Sequence, residues 1–296
     1  GTDATFTTNR DHWYRTFHIL CQLYAFIGRR GSETKRLSGM TTKTIFLNAD
    51  IGESFGPWQM GADELIMPHI DWANVACGFH ASDPLTMSTT VKLAKKHGVR
   101  IGAHPAYPDL VGFGRRHMAC KPEEITALVQ YQVGALQAIA QGHGDSVHYV
   151  KPHGALYNDM LSDGATFDAV CEAIKALQNN RAHALPLMIM ATPDNDAWQS
   201  RAEQFGVQLL FEGFADRAYD DDGRIRSRRY DDAVYGADED IVEQARRFSC
   251  GDSIISVGGF PLDIKIDSLC VHGDNPNAIS TIKKLRELLT DSGCAK

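Results

Sequence analysis

The sequence predicts an α/β fold, an irregular parallel (β/α) barrel of about seven strands, and three observations predict it. Short apolar runs alternate with longer amphipathic segments from residue 40 onward. The polar residues able to do chemistry gather at the carboxyl ends of those runs, where barrel active sites are built. The alternating part also spans 257 of the 296 residues, close to the ~250 of a closed barrel. An open doubly wound sheet is the runner-up, but no GxGxxG fingerprint follows the first run.

Each element has its own justification. The predicted strands are Ile45–Ile51, Trp72–Cys77, Val99–Ala103, Val147–Val150, Leu187–Ala191, Val207–Phe211 and Leu269–His272. They are short and rich in β-branched or aromatic side chains, which suits strands covered on both faces. The predicted helices are Pro84–His97, Pro122–Gln141, Thr166–Gln178, Asp194–Phe205, Asp238–Phe248 and Asn277–Leu289. Proline in a first turn after Asp83 and Lys121, and glycine after His97 and Phe205, mark their ends. Ile254–Ile266 breaks the alternation, and its Gly258-Gly259-Phe260-Pro261 turn predicts a hairpin before the last barrel strand.

Residues 40–296 are expected to form one catalytic barrel domain. Residues 1–39 differ in texture, with an aromatic-rich stretch and six Lys/Arg against three Asp/Glu, although the whole chain carries −7. They are expected to be a non-native or disordered extension upstream of a natural start at Met40. A signal peptide is the weaker alternative, since no small-residue cleavage site follows the apolar stretch Phe17–Ile27. A genuine N-terminal arm is the third. The acidic balance argues against nucleic acid, and no run reaches the ~18 apolar residues of a membrane helix. Seven scattered cysteines without a CxxC pair indicate reduced thiols in a cytoplasmic protein.

Residues two apart on a strand share a face, so several strand ends deliver polar pairs to one axis. These pairs are Asn48 and Asp50, Asn74 and His80, Lys151 and His153, and His272 and Asp274. Glu53 and His104 sit at equivalent ends. The stretch 102–116 is too long for a routine turn, and Arg115 and Arg116 in it could grip a carboxylate or phosphate. Glu212, Asp216 and Arg217 follow the sixth strand. Bland readings stand beside these: Asp50 as a turn cap, Lys151 as a snorkelling surface lysine, the arginines as solvated. His12, His18, His69, His97, His143, His148 and His183 are set aside as structural. His80, His104, His153 and His272 differ because each ends a strand beside glycine or proline.

These stretches resemble a known family. Leu47–Gly56 (LNADIGESFG), Asn74–Pro84 (NVACGFHASDP), Gly102–Arg116 (GAHPAYPDLVGFGRR), Val150–Asn158 (VKPHGALYN), Phe214–Tyr219 (FADRAY) and Cys270–Pro276 (CVHGDNP) are similar, in order, to motifs of the LamB/YcsF family, whose members are assigned as the A component of 5-oxoprolinase. Ala49 departs from the cysteine often found there, which puts only a thiol role in doubt. The resemblance implies a fold similar to the glycoside hydrolase/deacetylase barrel. It also implies assembly with B and C partner subunits, in which ATP hydrolysis drives opening of the 5-oxo-L-proline lactam to L-glutamate. The chain has no GxxxxGK[ST] loop, so ATP is expected with, or shared with, the partners; a homo-oligomer is also allowed.

The expected catalytic residues are therefore Asp50, Glu53, His80, His104, Lys151 and His153. Asp50, Glu53, His80 or His104 would act as base toward water, and Lys151 with His153 would stabilise charge on oxygen. Asn48, Asn74, Arg115, Arg116, Glu212, Asp216, Arg217, His272 and Asp274 are expected at the substrate. No resident metal is assigned. Two rival readings stand beside this one. In the first, Asp50, His80 and His104 hold a divalent metal in a deacetylase-like amide hydrolase. In the second, the chain is a non-catalytic component that only binds 5-oxoproline.

Overall fold

The computed structural model describes residues 44–179, 181, 183–271 and 278–290. The extension expected over residues 1–39 lies outside them. Seven parallel strands close into a barrel: β1 (Phe46–Ile51), β2 (Trp72–Ala76), β3 (Arg100–His104), β4 (Val147–Val150), β5 (Leu187–Met190), β6 (Leu209–Phe214) and β9 (Ser268–Cys270). β9 pairs with both β1 and β6, which closes the cylinder. β7 (Ile254–Ile255) and β8 (Pro261–Leu262) form the expected antiparallel hairpin ahead of β9. The irregularity has two identifiable places: a register shift between Ile101 and Gly102, and the one-residue pairing of Val150 with Leu187.

The helices are α1 (Asp63–Ile66), α2 (Pro84–His97), α3 (Pro122–Gly142), α4 (Gly154–Ser162), α5 (Gly164–Gln178), α6 (Asn195–Glu203), α7 (Asp238–Cys250) and α8 (Ala278–Thr290). Their ends follow local chemistry. Asp83 caps α2 by accepting from the N–H groups of Leu85 and Thr86, and Asp163 does the same for α5 with Ala165 and Thr166. None of the described helices is long and apolar enough to cross a membrane.

Strand alternation sorts the side chains into two cores. Leu47, Ala49, Ile51, Ala73, Val75, Ile101, Ala103, Val150, Leu187 and Ile189 are fully buried in the large apolar cluster that includes the helix faces. The other face of each strand fills the barrel. At the bottom Trp72 stacks on Phe46 at 4.7 Å and tilts against Tyr149 at 5.3 Å, with Met188 in the same cluster. Above them lies a polar layer. Asn48 donates to Ser268 Oγ (2.7 Å), Asn74 donates to Asn48 Oδ1 (2.8 Å), and the Tyr149 hydroxyl donates to Asn74 Oδ1 (2.6 Å). Buried amides are tolerated because each finds a partner.

Gly102 lies inside β3 and makes room for a ring from the neighbouring strand. A Cβ there would lie 2.1 Å from the Tyr149 ring, so the missing side chain is what lets that ring cross the barrel. Three features escaped the sequence reading, the first being the one-turn helix α1. α4 was hidden because Gly154 reads as a turn, although Leu156, Tyr157, Met160 and Leu161 keep helical spacing and are buried. β6 runs three residues past its expected end, which places Glu212 within the strand rather than after it.

Candidate active site at the mouth of the barrel

Lys151 follows β4 and turns into the barrel axis. Its ammonium lies 2.7 Å from Glu212 Oε1 and 3.1 Å from Asp50 Oδ1, with Asn48 Oδ1 at 3.4 Å and Cys270 Sγ at 3.5 Å. Burial works against a charged lysine, but the Asp50 and Glu212 carboxylates outweigh it and hold its pKa well above the ordinary value. Lys151 is therefore a fixed cation. The Cys270 thiol beside it is pushed up mainly by burial, so it stays neutral.

An imidazole wall rises next to these charges. His104 Nδ1 donates to the Lys151 carbonyl (2.6 Å), and its Nε2 lies 3.4 Å from Asp50 Oδ2 and 2.9 Å from His153 Nδ1. His153 Nε2 in turn donates to the Phe113 carbonyl (2.9 Å). His80 stacks flat on His153, with centroids 3.7 Å apart, and its Nε2 is 3.4 Å from Glu53 Oε1. Burial first, then the neighbouring imidazoles, pushes the pKa of His153 down; burial and His104 do the same to His80. Glu53, His80, His104 and His153 each offer a ligand atom within 4.8 Å of the others.

The loop 105–116 presses on this wall from above. Gly114 (φ +65°) would strike His80 with a Cβ at 2.8 Å, and Gly154 (φ +59°) would strike the Gly114 carbonyl at 2.4 Å. Both positions need the left-handed backbone and the absent side chain. Arg116 grips Asp109 through Nε at 2.9 and 3.0 Å, which braces the loop and holds the Asp109 carboxyl down at about 2.

A cavity of about 440 Å³ opens over Lys151, walled by Asp50, Arg115, His153, Tyr157, Asn158, Phe214, Arg217 and Arg228. Many of the expected residues thus converge: Asp50, Glu53, His80, His104, Lys151, His153 and, at the rim, Arg115. Arg217 is on the wall, but its Nε donates to the Ala233 carbonyl (3.1 Å), so it also ties down its own loop. Other residues expected at the substrate lie elsewhere. Asn48, Asn74 and Glu212 are wholly buried beneath Lys151, where Glu212 also accepts from the Tyr157 hydroxyl at 3.1 Å. Arg116 is committed to Asp109. Asp216 is buried close by and is not on the cavity wall. His272 and Asp274 fall outside the described residues.

Sequence reasoning missed Tyr149, Tyr157, Asn158, Phe214, Arg228 and Cys270. Tyr149 had a signal, since it is two residues before Lys151 and so shares its face. Tyr157 and Asn158 lie in the motif Val150–Asn158, but nothing placed them at the site while α4 went unseen.

Known proteins share this barrel and its motifs. Among curated relatives, the A chain of 5-oxoprolinase from Vibrio vulnificus is 50% identical over 250 residues, covering 84% of this chain and 99% of that protein. A Pseudomonas putida protein, named as the second of that organism's 5-oxoprolinase A chains, is 52% identical over 245 residues, covering 83% and 93%. Among solved structures, the lactam utilization protein of Thermus thermophilus is 38% identical, with a TM-score of 0.77 over 84% of this chain and 97% of that one. The profile of the LamB/YcsF family matches residues 45–296. By that match and by these relatives, the chain belongs to the LamB/YcsF family.

Proposed function

We propose that this chain is the A component of a cytoplasmic, ATP-dependent 5-oxoprolinase and carries the ring-opening site. The observation that carries the reading is the buried Lys151 cation, held by Asp50 and Glu212 at the floor of a cavity walled by His153 and arginines. Relatives matched over nearly their whole length bear the corresponding name.

A lactam is a stable amide, so activation is needed before water can open it. Phosphorylation of the lactam oxygen at the expense of ATP, at a site held by or shared with the B and C partner subunits, makes the ring carbon electrophilic. Lys151 faces the oxygen on which negative charge develops, in a site where water screens little. Asp50, poised between Lys151 and His104, takes the proton of the attacking water, which Glu53, His80, His104 and His153 help to orient. The ring C–N bond then breaks, the nitrogen takes up a proton, and a second water releases phosphate from the acyl phosphate to leave glutamate. Arg115 and Arg217 offer the positive rim that the substrate carboxylate or the phosphate requires.

The test is an assay of 5-oxoproline-dependent ATP hydrolysis and glutamate release, with and without the B and C subunits. Coupled turnover with the partners present is expected; none under any combination sinks the reading. A metal-dependent amide hydrolase is the second reading, favoured by the Glu53–His80–His104–His153 cluster, and it requires turnover without ATP.

A further inference from the structure

We infer that Glu53, His80, His104 and His153 form a binding site for a divalent transition-metal ion of the zinc class. The four ligand atoms lie within 4.8 Å of one another, and all three imidazoles are nearly wholly buried. Three nitrogens and one carboxylate suit Zn²⁺ or Co²⁺. They do not suit Mg²⁺ or Ca²⁺, which take oxygen ligands.

The tautomers point to a cation. A carbonyl oxygen only accepts, so His104 Nδ1, which meets the Lys151 carbonyl, carries a hydrogen, and so does His153 Nε2, which meets the Phe113 carbonyl. The remaining nitrogens, His104 Nε2 and His153 Nδ1, are then lone-pair atoms, and they face each other at 2.9 Å. Two lone pairs at that separation repel unless a cation, either a shared proton or a metal ion, lies between them. Holding the far N–H on a backbone carbonyl is also how metal-bound histidines are fixed in tautomer and direction.

His80 points the same way independently. Neither of its nitrogens has a hydrogen-bond partner among the described residues, although the side chain is buried. The ring lies parallel to His153 with centroids 3.7 Å apart and has Phe113 edge-on at 5.4 Å, so an ion bound by both imidazoles requires the two rings to tilt until their in-plane lone pairs converge. A buried imidazole with no hydrogen bond calls for an explanation, and a ligand role supplies one. The spacing is also near that of a loaded site. Tetrahedral zinc sets its ligand atoms about 3.3 Å apart, and His80 Nε2 is already 3.4 Å from Glu53 Oε1, with His153 Nδ1 at 4.0 Å from the same oxygen.

The site stands on this geometry and not on the proposed lactam reaction, so its test is binding. Untagged protein is stripped with a chelator, then titrated with Co²⁺ alone by visible absorption and with Zn²⁺ alone by calorimetry, with thermal unfolding followed in parallel. One ion per chain is expected, with imidazole-type d–d bands and a raised Tm. His80→Gln is expected to bind at least ~10-fold more weakly, and so is Glu53→Gln, which alters a less buried position should the histidine variant not fold. The inference is overturned if the stripped protein takes up no stoichiometric ion, meaning a shared proton sits between His104 and His153, or if both variants bind as the parent does. Neither result depends on whether 5-oxoproline is the substrate.

Discussion

Replacing Lys151 by methionine is the most informative single perturbation, because it removes the cation from a buried group of acids. Glu212 has no solvent-exposed side-chain surface and cannot turn to water for compensation, whereas Asp50, 16% exposed, faces the cavity. Removing one partner of such a pair costs about 3–5 kcal/mol, a large share of the roughly 5–15 kcal/mol that holds a domain together. The double variant Lys151→Met, Glu212→Gln takes out the orphaned charge while keeping an acceptor for the Tyr157 hydroxyl, and should recover more than about 1.5 kcal/mol of that loss. Urea unfolding of the parent, both singles and the double variant measures this directly. The raised Lys151 pKa also fixes the pH window. The stabilisation should be complete below the ordinary lysine value of 10.5 and fade only as pH climbs through the higher folded-state value. If Lys151→Met unfolds within about 1 kcal/mol of the parent, or the double variant is no better than the single one, the charges are solvated and the reasoning fails.

Three further outcomes are expected. Gly102→Ala forces a methyl into the Tyr149 ring and should cost at least about 1–3 kcal/mol; in a Tyr149→Ala background most of that extra cost should vanish, as thermal unfolding would show. Asp63 has its pKa raised from 3.8 to about 6, chiefly by burial. Its contribution to stability is full below 3.8 and is lost as pH rises through about 6, so Asp63→Asn should be the more stable protein at pH 8, by up to about 3 kcal/mol, with the gap closing near pH 4. Gly154→Ala drives a Cβ onto the Gly114 carbonyl and should lift the 105–116 loop. Turnover should then fall at least tenfold, with faster amide hydrogen exchange confined to that loop.

Much of this fold was legible because short apolar runs, covered on both faces, alternate with longer amphipathic segments. The strands around Asp50, His104 and Lys151 could be placed, and with them the residues that end on one mouth. What stayed hidden is long-range. Nothing local says that Glu212 continues β6 inward, since a Glu-Gly pair reads as a loop until Lys151, 61 positions earlier, is seen facing it. Gly102 gives the same lesson, because its role is set by a ring on the next strand. Asn48 and Asn74 face the axis as expected, but facing the axis does not reveal whether a residue lies above or below the cation. The stacked His80–His153 pair was beyond reach too, since it depends on how the 105–116 loop folds back over both.

Whether the floor around Lys151 and Asp50 opens the lactam is tested most directly by single-turnover glutamate release. The assembled A, B and C subunits are used, with this chain carrying Asp50→Ala or His153→Ala. Release slowed at least ~100-fold in both variants, with each chain still folded and bound to its partners, is the predicted result. Glutamate released at the parent rate would contradict the account and move the chemistry to one of the partners.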